Sequence, residues 1–188
     1  MEQLHEEQRY TYADYCTWDD GERWELIDGV PYAMSPAPRP RHQSLVGEIY
    51  GQLRDYLKGK PSCKAFIAPF DVRLDAAGED DTVVQPDITV ICDRTKIDDK
   101  GCNGAPDLVI EVLSSSPDSS RRDRLIKFNL YQRAGVREYW IVDPDTNTVA
   151  AHLLENGKYT VAAYGDTGTA PVNVLPGCEI NLQDIFAD

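Results

Sequence analysis

Residues 108–113 read LVIEVL, and this stretch decides the fold because it sets one carboxylate, Glu111, inside an otherwise apolar run. A continuous apolar run of this length is typical of a buried strand at the centre of a sheet. Side chains alternate along a strand, so Glu111 shares a face with Val109 and Leu113. A buried carboxylate without a partner costs several kcal/mol. The run therefore predicts a cation, a basic side chain or a solvated cleft beside Glu111, and the alternative is an edge strand or a plain salt bridge.

The preceding apolar run, VVQPDITVIC at 83–92, carries a second carboxylate next to its proline. Proline cannot donate to a β-ladder, so a strand starts or bulges at Pro86, and the side chain of Asp87 opens towards a gap in the sheet. Neighbouring strands lie about 4.8 Å apart, which lets Asp87 and Glu111 reach one hard cation. The two runs together predict a divalent-metal site built from these two carboxylates.

A helix is predicted over 117–134, with Gly135 as its left-handed cap. Helical spacing groups its apolar side chains into one arc formed by Ile126, Leu130, Tyr131 and Ala134. Lys127 and Asp123 fall inside that arc. A buried ammonium requires a carboxylate nearby, which favours a place for Lys127 at the site. The alternative is an exposed Asp123–Lys127 pair, which stabilises a helix by only tenths of a kcal/mol.

The remaining patterns predict a mixed β-sheet flanked by helices, an α/β fold. A capping box opens the first helix, an Asp-Gly pair favours a hairpin, and an apolar stripe marks the long helix. In chain order the further predicted elements are a helix at 12–18, a hairpin at 24–34, a helix at 42–57, strands at 63–74 and 138–142, and tail strands at 149–154 and 159–164.

Glu25 and His42 are weaker candidates for the same site. Glu25 lies between apolar residues in the first strand of the hairpin. His42 falls on the inward side of the long helix when its apolar stripe is extended backwards. A single inward histidine is more often a satisfied core residue than a catalytic one. Both residues are therefore predicted only to assist in proton transfer or to help bind a second metal.

Composition predicts one globular domain spanning 1–188. No apolar run approaches the ~20 residues of a membrane span, and the acidic N-terminus lacks the pattern of a signal peptide. The five cysteines form no C-x-x-C pair, which predicts free thiols in a reducing compartment rather than disulfides or a zinc site. We therefore expect a cytoplasmic protein with no membrane partner.

The formal net charge of −13 is unusual for a protein that binds nucleic acid. Lysine and arginine must displace counterions from phosphates, and an acidic surface repels DNA unless basic residues cluster locally. A solvated helix face is the alternative to such a cluster. The candidate basic patch consists of Arg121, Arg122, Arg124, Arg133, Arg137, Arg39 and Arg41.

Several segments, taken in order, resemble one protein family. They are WELIDGVPYAMSP (24–36), QPDITV (85–90), LVIEVLSSSP (108–117), AGVREYWIVDP (134–144) and LPGCEINLQDIF (175–186). Their order and spacing are similar to those of the bacterial Uma-two (Uma2) family of restriction-endonuclease-like proteins, within the PD-(D/E)XK nuclease superfamily. The resemblance covers nearly the whole chain.

This resemblance implies a restriction-endonuclease-like mixed β-sheet core flanked by helices, with an N-terminal hairpin and a β-rich C-terminal tail. It also implies an endonuclease that depends on Mg²⁺, or on Mn²⁺ in its place, with Asp87 and Glu111 as metal ligands. The superfamily pattern expects a lysine two residues after Glu111, where this chain has Leu113. Lys127 from the following helix takes that role in the resemblance, while Glu25 and His42 are carried over less securely.

Three functions are compatible with these patterns. The first is a metal-dependent DNA endonuclease, in which the metal activates water and the lysine stabilises the transition state. A homodimer is its simplest form, because two sites can cut both strands of a duplex. The second is a catalytically silent module that keeps the fold and binds nucleic acid or regulates. The third, a small-molecule hydrolase such as a phosphatase, suits the acidic surface but has no supporting motif.

Overall fold

A computed structural model of the chain describes residues 8–34, 38–75, 78–114 and 122–187, and only the backbone of 122–124. The central apolar run forms β9 (Leu108–Val112) in the interior of a six-stranded sheet, here called the central sheet. From one edge to the other, the central sheet consists of β12 (Lys158–Tyr164), β11 (Thr148–Glu155), β10 (Glu138–Asp143), β9, β6 (Ile88–Ile91) and β3 (Lys64–Ile67). The strands β9 and β10 are parallel, and the other neighbours are antiparallel.

A second six-stranded sheet, the N-terminal sheet, is built around the predicted hairpin. Its strands, in spatial order, are β2 (Val30–Ala33), β1 (Trp24–Ile27), β5 (Val83–Val84), β4 (Val72–Arg73), β8 (Gly101–Asn103) and β7 (Ile97–Asp98). The hairpin turn has φ angles of 50° at Asp28 and 73° at Gly29, as an Asp-Gly turn of type I′ requires. In the tail, β13 (Thr169–Pro171) and β14 (Glu179–Asn181) form a separate ribbon.

Two apolar runs that the sequence predicts as single strands each contribute to both sheets. The run at 63–74 divides into β3 and β4, with Pro69 between them, and the run at 83–92 divides into β5 and β6, with Pro86 between them. Proline has no N–H for the ladder, so each strand ends there and the chain crosses to the other sheet. The strands β7 and β8 lie in a segment that the sequence predicts as a loop. These crossings connect the two sheets, whose apolar side chains share one core.

The first three described helices lie where the sequence predicts them and differ at their ends, whereas the last one was not predicted. The first, α1 (Tyr12–Tyr15), has the predicted capping box, and the long helix is α2 (Pro40–Leu57). A π-helical turn (Arg122–Lys127) leads into α3 (Phe128–Ala134), which ends at Gly135 with φ of 85°. The predicted start of that helix at Pro117 lies outside the described residues. The last helix is α4 (Leu182–Phe186), and none of the described helices has the length and apolar character needed to cross a bilayer.

The two faces of the central sheet are covered differently. On one face, α2 and α4 pack against apolar side chains that include Ile110 of β9. On the other face, α3 and the N-terminal sheet pack against side chains that include Val109. Glu111 lies on this second face, because it alternates with Ile110 along the strand. The predicted α/β class is confirmed. Glu111 lies between the central sheet and the layer formed by α3 and the N-terminal sheet.

Cys63 and Cys92 form a disulfide, so the prediction of five free thiols is wrong. The register of β3 and β6 sets Lys64 opposite Ile91, and the two cysteines lie opposite each other at the next position. They are 29 residues apart in sequence, and their spacing gives no information on strand register. The inference of a reducing compartment, which rested on free cysteines, therefore loses its basis.

Candidate active site

Asp87 and Glu111 lie opposite each other on neighbouring strands. The antiparallel register of β6 and β9 pairs Ile88 with Ile110, so one further residue sets Asp87 opposite Glu111. The backbone amide of Val112 donates a hydrogen bond of 2.8 Å to Oδ2 of Asp87 and holds that side chain against β9. Residues opposite each other in an antiparallel pair have Cα atoms about 5 Å apart. The two carboxylates predicted to share a cation therefore lie at one point of the sheet.

Lys127 is buried between two carboxylates. Its side chain is only 4% exposed, and Nζ lies 2.8 Å from Oε1 of Glu111 and 2.8 Å from Oε1 of Glu25. The π-helical turn before α3 brings Lys127 to Glu111, while β1 brings Glu25 from the N-terminal sheet. Two carboxylates therefore share one ammonium, and the register of β6 and β9 sets a third, Asp87, opposite Glu111. This excess of negative charge favours a further cation.

Tyr131 is a member of this site to which the sequence analysis gave no role. Its hydroxyl donates a 2.8 Å hydrogen bond to Oε1 of Glu111, the same oxygen that Lys127 contacts. Burial and the neighbouring Glu111 charge raise the pKa of Tyr131 well above its ordinary value, so the hydroxyl remains a donor. The four-residue spacing from Lys127 sets both side chains on one side of the helix, and this spacing could have indicated the shared role.

Glu25 is held in place by the QPD segment. The backbone amide of Gln85 donates to Oε1 of Glu25 at 3.0 Å. The side chain of Gln85 accepts from Nε of Arg23 at 3.1 Å and donates to Oδ1 of Asp71 at 2.9 Å. Burial raises the pKa of the Asp71 carboxyl, and the hydrogen bond from Gln85 offsets part of this rise. Sequence reasoning missed Gln85, whose side chain links the site to a second polar network.

His42 approaches the site from the first turn of α2. Its Nε2 lies 3.3 Å from Oδ2 of Asp87, and the two side chains are 11% and 20% exposed. Asp87 is therefore more accessible than Glu111 or Glu25, and solvent reaches the site on its side. The structure places the five candidate residues in two groups, Glu25, Lys127 and Glu111 in one and Asp87 with His42 in the other, and the register of β6 and β9 sets Asp87 opposite Glu111.

The carboxylate oxygens at this site are ligands that suit a hard divalent cation. Mg²⁺ binds oxygen ligands, keeps several waters, and is often held by one or two carboxylates. Within the described parts of the chain, Oδ1 of Asp87 accepts no hydrogen bond from another residue. The same parts contain no group of three or more His, Cys, Asp or Glu side chains placed to hold a metal ion. Asp87 and Glu111 thus remain the two side chains for which the sequence predicts metal binding.

The arginines of the candidate basic patch are partly engaged by acidic or polar groups. Arg133 forms an ion pair with Asp28, and Arg137 lies 3.0 Å from Asp107. Arg41 donates a 2.8 Å hydrogen bond to an asparagine side chain. These contacts weaken the attraction that the patch could exert on phosphates. Three further arginines of the patch have side chains outside the described residues: Arg121, Arg122 and Arg124.

Comparison with known proteins gives a family and a fold. The model of the Uma2 family, described as putative restriction endonuclease, matches residues 11–183. A search among curated proteins finds no match. Among solved structures, one of a putative nuclease belonging to DUF820, from Anabaena variabilis ATCC 29413, is similar with a TM-score of 0.74 and 21% sequence identity. The similarity covers 94% of this chain and 97% of that chain, and it confirms the predicted nuclease-like α/β fold. Because the family model spans most of the sequence, the chain belongs to the Uma2 family.

Proposed function

We propose that this protein is a metal-dependent endonuclease that hydrolyses phosphodiester bonds in DNA. The observation that carries the proposal is the buried contact of Lys127 with Glu111 and Glu25, directly beside Asp87. Membership of a family described as putative restriction endonucleases supports a nuclease, and so does the fold of the DUF820 neighbour. The metal and the DNA substrate belong to the proposal.

Asp87 and Glu111 would hold Mg²⁺, or Mn²⁺ in its place. When bound, such an ion lowers the pKa of water and neutralises charge on a phosphoryl oxygen. The protein's own contribution begins with the orientation of these ligands. The amide of Val112 fixes Asp87, and the Tyr131 hydroxyl fixes Glu111. Both carboxylates are therefore preorganised, so little reorganisation is required when a substrate arrives.

Lys127 would stabilise the negative charge that develops on the scissile phosphate. Two flanking carboxylates favour its charged form and hold Nζ at a fixed point. A fixed cation in a site with little water acts more strongly than the same charge in bulk solvent. Glu25 has a positioning role, since it touches Lys127 and would not contact the substrate.

His42 would assist proton transfer. Its Nε2 lies within 3.3 Å of Asp87, on the more exposed side of the site. A neutral imidazole at this position can accept a proton from an attacking water and pass it to solvent. In this proposal His42 serves the side of the site where water enters, and Lys127 serves the side where the phosphate binds.

A catalytically silent nuclease-fold module is the second candidate function. The observations that favour it are the net charge of −13 and the ion pairs formed by Arg133 and Arg137. Counterion release needs basic groups that are free to meet phosphates. A silent module would keep the carboxylate cluster without turning over DNA.

A plasmid-nicking assay at low salt separates these two functions. With Mg²⁺ or Mn²⁺ the wild-type protein should nick supercoiled DNA, and EDTA should stop the reaction. We expect Asp87→Asn, Glu111→Gln and Lys127→Met to reduce the rate by about 100-fold or more. The control Glu155→Gln changes an exposed carboxylate on β11 and should nick normally. Metal binding by a wild-type protein that never nicks would favour the silent module, and normal nicking by Glu111→Gln would remove Glu111 from the site.

A further inference from the structure

The strand β12 forms an open edge of the central sheet. Its seven residues pair with β11 without interruption, from Lys158 opposite Glu155 to Tyr164 opposite Val149. Within the described parts of the chain, no strand pairs with its other side. Apart from the Tyr159 amide, which donates to the side chain of Gln132 at 2.9 Å, the open side of β12 presents backbone N–H and C=O groups that pair with no strand. Such groups are a template for another strand.

The middle of β12 also lacks the usual protection of an edge. Residues 160–163, TVAA, are exposed on both faces of the strand, and Val161 is 64% exposed. Natural edge strands are commonly blocked by lysine, proline, a bulge or a covering element. Between Tyr159 and Tyr164 the chain has no charge and no proline, and the unbroken register shows no bulge. This edge is suited to pairing with a strand of similar character.

We propose that two copies of this chain associate by antiparallel pairing of β12 with the partner's β12. A twofold axis perpendicular to the sheet relates two such strands and joins the two central sheets into one. Opposed residues in an antiparallel pair point to the same face of the sheet. The twofold axis must therefore lie between one residue of β12 and the same residue of the partner, so that this residue is opposite its own copy.

Charge selects the residue on the axis. With the axis at Ala162, and with the pairing continued two residues beyond the end of β12 at Tyr164, Lys158 lies opposite the partner's Asp166, because both are four positions from Ala162. The twofold axis repeats this ion pair at the other end of the interface. Opposite charges at facing positions stabilise strand pairs, and Val161 then faces the partner's Ala163. An axis at Val161 would instead set Lys158 opposite the partner's Tyr164 and lose both ion pairs.

The same pairing fixes the spacing of the two candidate active sites. A perpendicular twofold axis keeps both sites on one face of the joined sheet. Seven strand steps of about 4.8 Å separate the two copies of β9, which gives about 34 Å. Glu111 lies in one row with Ile141, Ala150 and Ala163, so the two sites are offset along the strands by only two residues.

A distance of about 34 Å corresponds to one turn of B-form DNA, about 10 base pairs. Because adjacent strands twist by about 20–25° per step, the two sites face different directions, and a duplex would have to follow the twist of the joined sheet to meet both. This reading of the spacing rests on the proposed function, whereas the pairing of β12 does not.

Sedimentation velocity over a range of protein concentrations tests the pairing. We expect wild type to form a dimer and Val161→Lys to be monomeric, because each lysine would be forced into the middle of the new strand pair. The matched control is Ile67→Lys, which adds the same charge to an apolar residue, 46% exposed, on β3 at the opposite edge of the sheet. Circular dichroism checks that both variants fold. A monomeric wild type, or a Val161→Lys variant as dimeric as wild type, would overturn the proposal.

Cross-linking tests the register. In a Cys16→Ser background, which removes the exposed free thiol, Ala162→Cys should form a covalent dimer on mild oxidation because it faces its own copy. Ala163→Cys alone should not, but it should link when mixed with Val161→Cys. Efficient self-linking of Ala163→Cys would refute an axis at Ala162.

The nicking assay keeps the two proposals apart. A Val161→Lys monomer that still nicks one strand but rarely cuts both would support the dimer and the spacing. A wild-type dimer without any nicking would count against the nuclease alone. A wild-type monomer that nicks would count against the pairing alone.

Discussion

Two glutamates are buried in adjacent strands of the central sheet, Glu111 in β9 and Glu138 in β10. Glu111 is bound by the cation of Lys127. Glu138 accepts hydrogen bonds from neutral donors, which include the indole of Trp140 at 2.8 Å and the backbone amide of Val174 at 2.9 Å. A buried carboxylate alone therefore does not indicate a metal site. The partners of the carboxylate make the distinction: neutral donors around Glu138 indicate a structural role, and the cation beside Glu111 indicates a charged site.

Replacing Glu138 should affect stability without affecting the active site. In Glu138→Gln, the amide cannot accept at both of the original oxygens, so either the Val174 amide or the Trp140 indole loses its acceptor. We expect the free energy of unfolding to fall by about 1–3 kcal/mol, measured by urea denaturation. Nicking and metal binding should be unchanged under conditions where the variant is folded. Lost nicking at unchanged stability would place Glu138 in the catalytic machinery instead.

Removing the buried cation should destabilise the protein more than removing an exposed one. Lys127→Met leaves the carboxylates of Glu25 and Glu111 buried without their shared partner. Breaking a buried ion pair in this way lowers the free energy of unfolding by about 3–5 kcal/mol. The control is Lys64→Met, since Lys64 is exposed on β3. Adding Glu25→Gln to Lys127→Met should restore part of the loss, and equal effects of the two lysine variants would contradict the buried contact.

His152 should make stability depend on pH. It is buried among the rings of Phe128, Tyr139 and Tyr159, and burial lowers its pKa in the folded protein. Below about pH 6.5 the histidine of the unfolded chain binds a proton, whereas His152 of the folded protein stays neutral until a lower pH. The contribution of His152 to the free energy of unfolding is therefore complete above about pH 6.5. As pH falls, it is lost, until the folded histidine also becomes protonated. Urea unfolding of wild type and His152→Gln between about pH 7.5 and about pH 5 isolates this slope. An identical slope in both proteins would exclude His152 as its source.

Local sequence patterns identified those elements whose structure depends on near neighbours. The Asp28-Gly29 turn, the stripe of α2 and the Gly135 cap each follow from residues within one or two turns of chain. The two apolar runs broken at Pro69 and Pro86 were each predicted as one strand, and the structure divides each between two sheets. Which sheet accepts a strand depends on contacts distant in sequence, which an apolar run does not encode.

The disulfide between β3 and β6 is a long-range contact of the same kind, and it can be tested directly. Titration of thiols in denaturant without reductant should give three per chain, from Cys16, Cys102 and Cys178. The double variant Cys63→Ser, Cys92→Ser should lower the free energy of unfolding by about 2–4 kcal/mol, because the open chain has more freedom when unfolded. Five reactive thiols in the wild-type protein would show that the bond is absent.

The candidate site was predicted where a residue conflicts with its local pattern. Glu111 interrupts an apolar strand, and Lys127 interrupts an apolar helical arc, so each signalled a partner. Tyr131 and Gln85 gave no such signal, because a tyrosine fits an apolar arc and a glutamine fits a strand end. Their roles depend on side chains brought near by the two sheets. Conflict with a pattern reveals charged site residues, whereas residues that orient them need the three-dimensional arrangement.

At the scale of the whole molecule, the acidic surface and the clustered carboxylates favour the binding of cations over that of phosphates. The net charge of −13 opposes DNA, and the site itself adds negative charge at the point where a phosphate must bind. A bound divalent ion reverses this local electrostatic balance. The proposed nuclease therefore depends on metal binding more strictly than a basic protein would.

The most direct measurement is calorimetric titration of Mg²⁺ and of Mn²⁺ into four proteins: wild type, Asp87→Asn, Glu111→Gln and the exposed-carboxylate control Glu155→Gln. We predict saturable binding to wild type and to the control, and no detectable binding to the other two while circular dichroism shows them folded. If Asp87→Asn and Glu111→Gln bind these ions as wild type does, the two carboxylates are not the metal ligands and the proposed catalytic site is wrong.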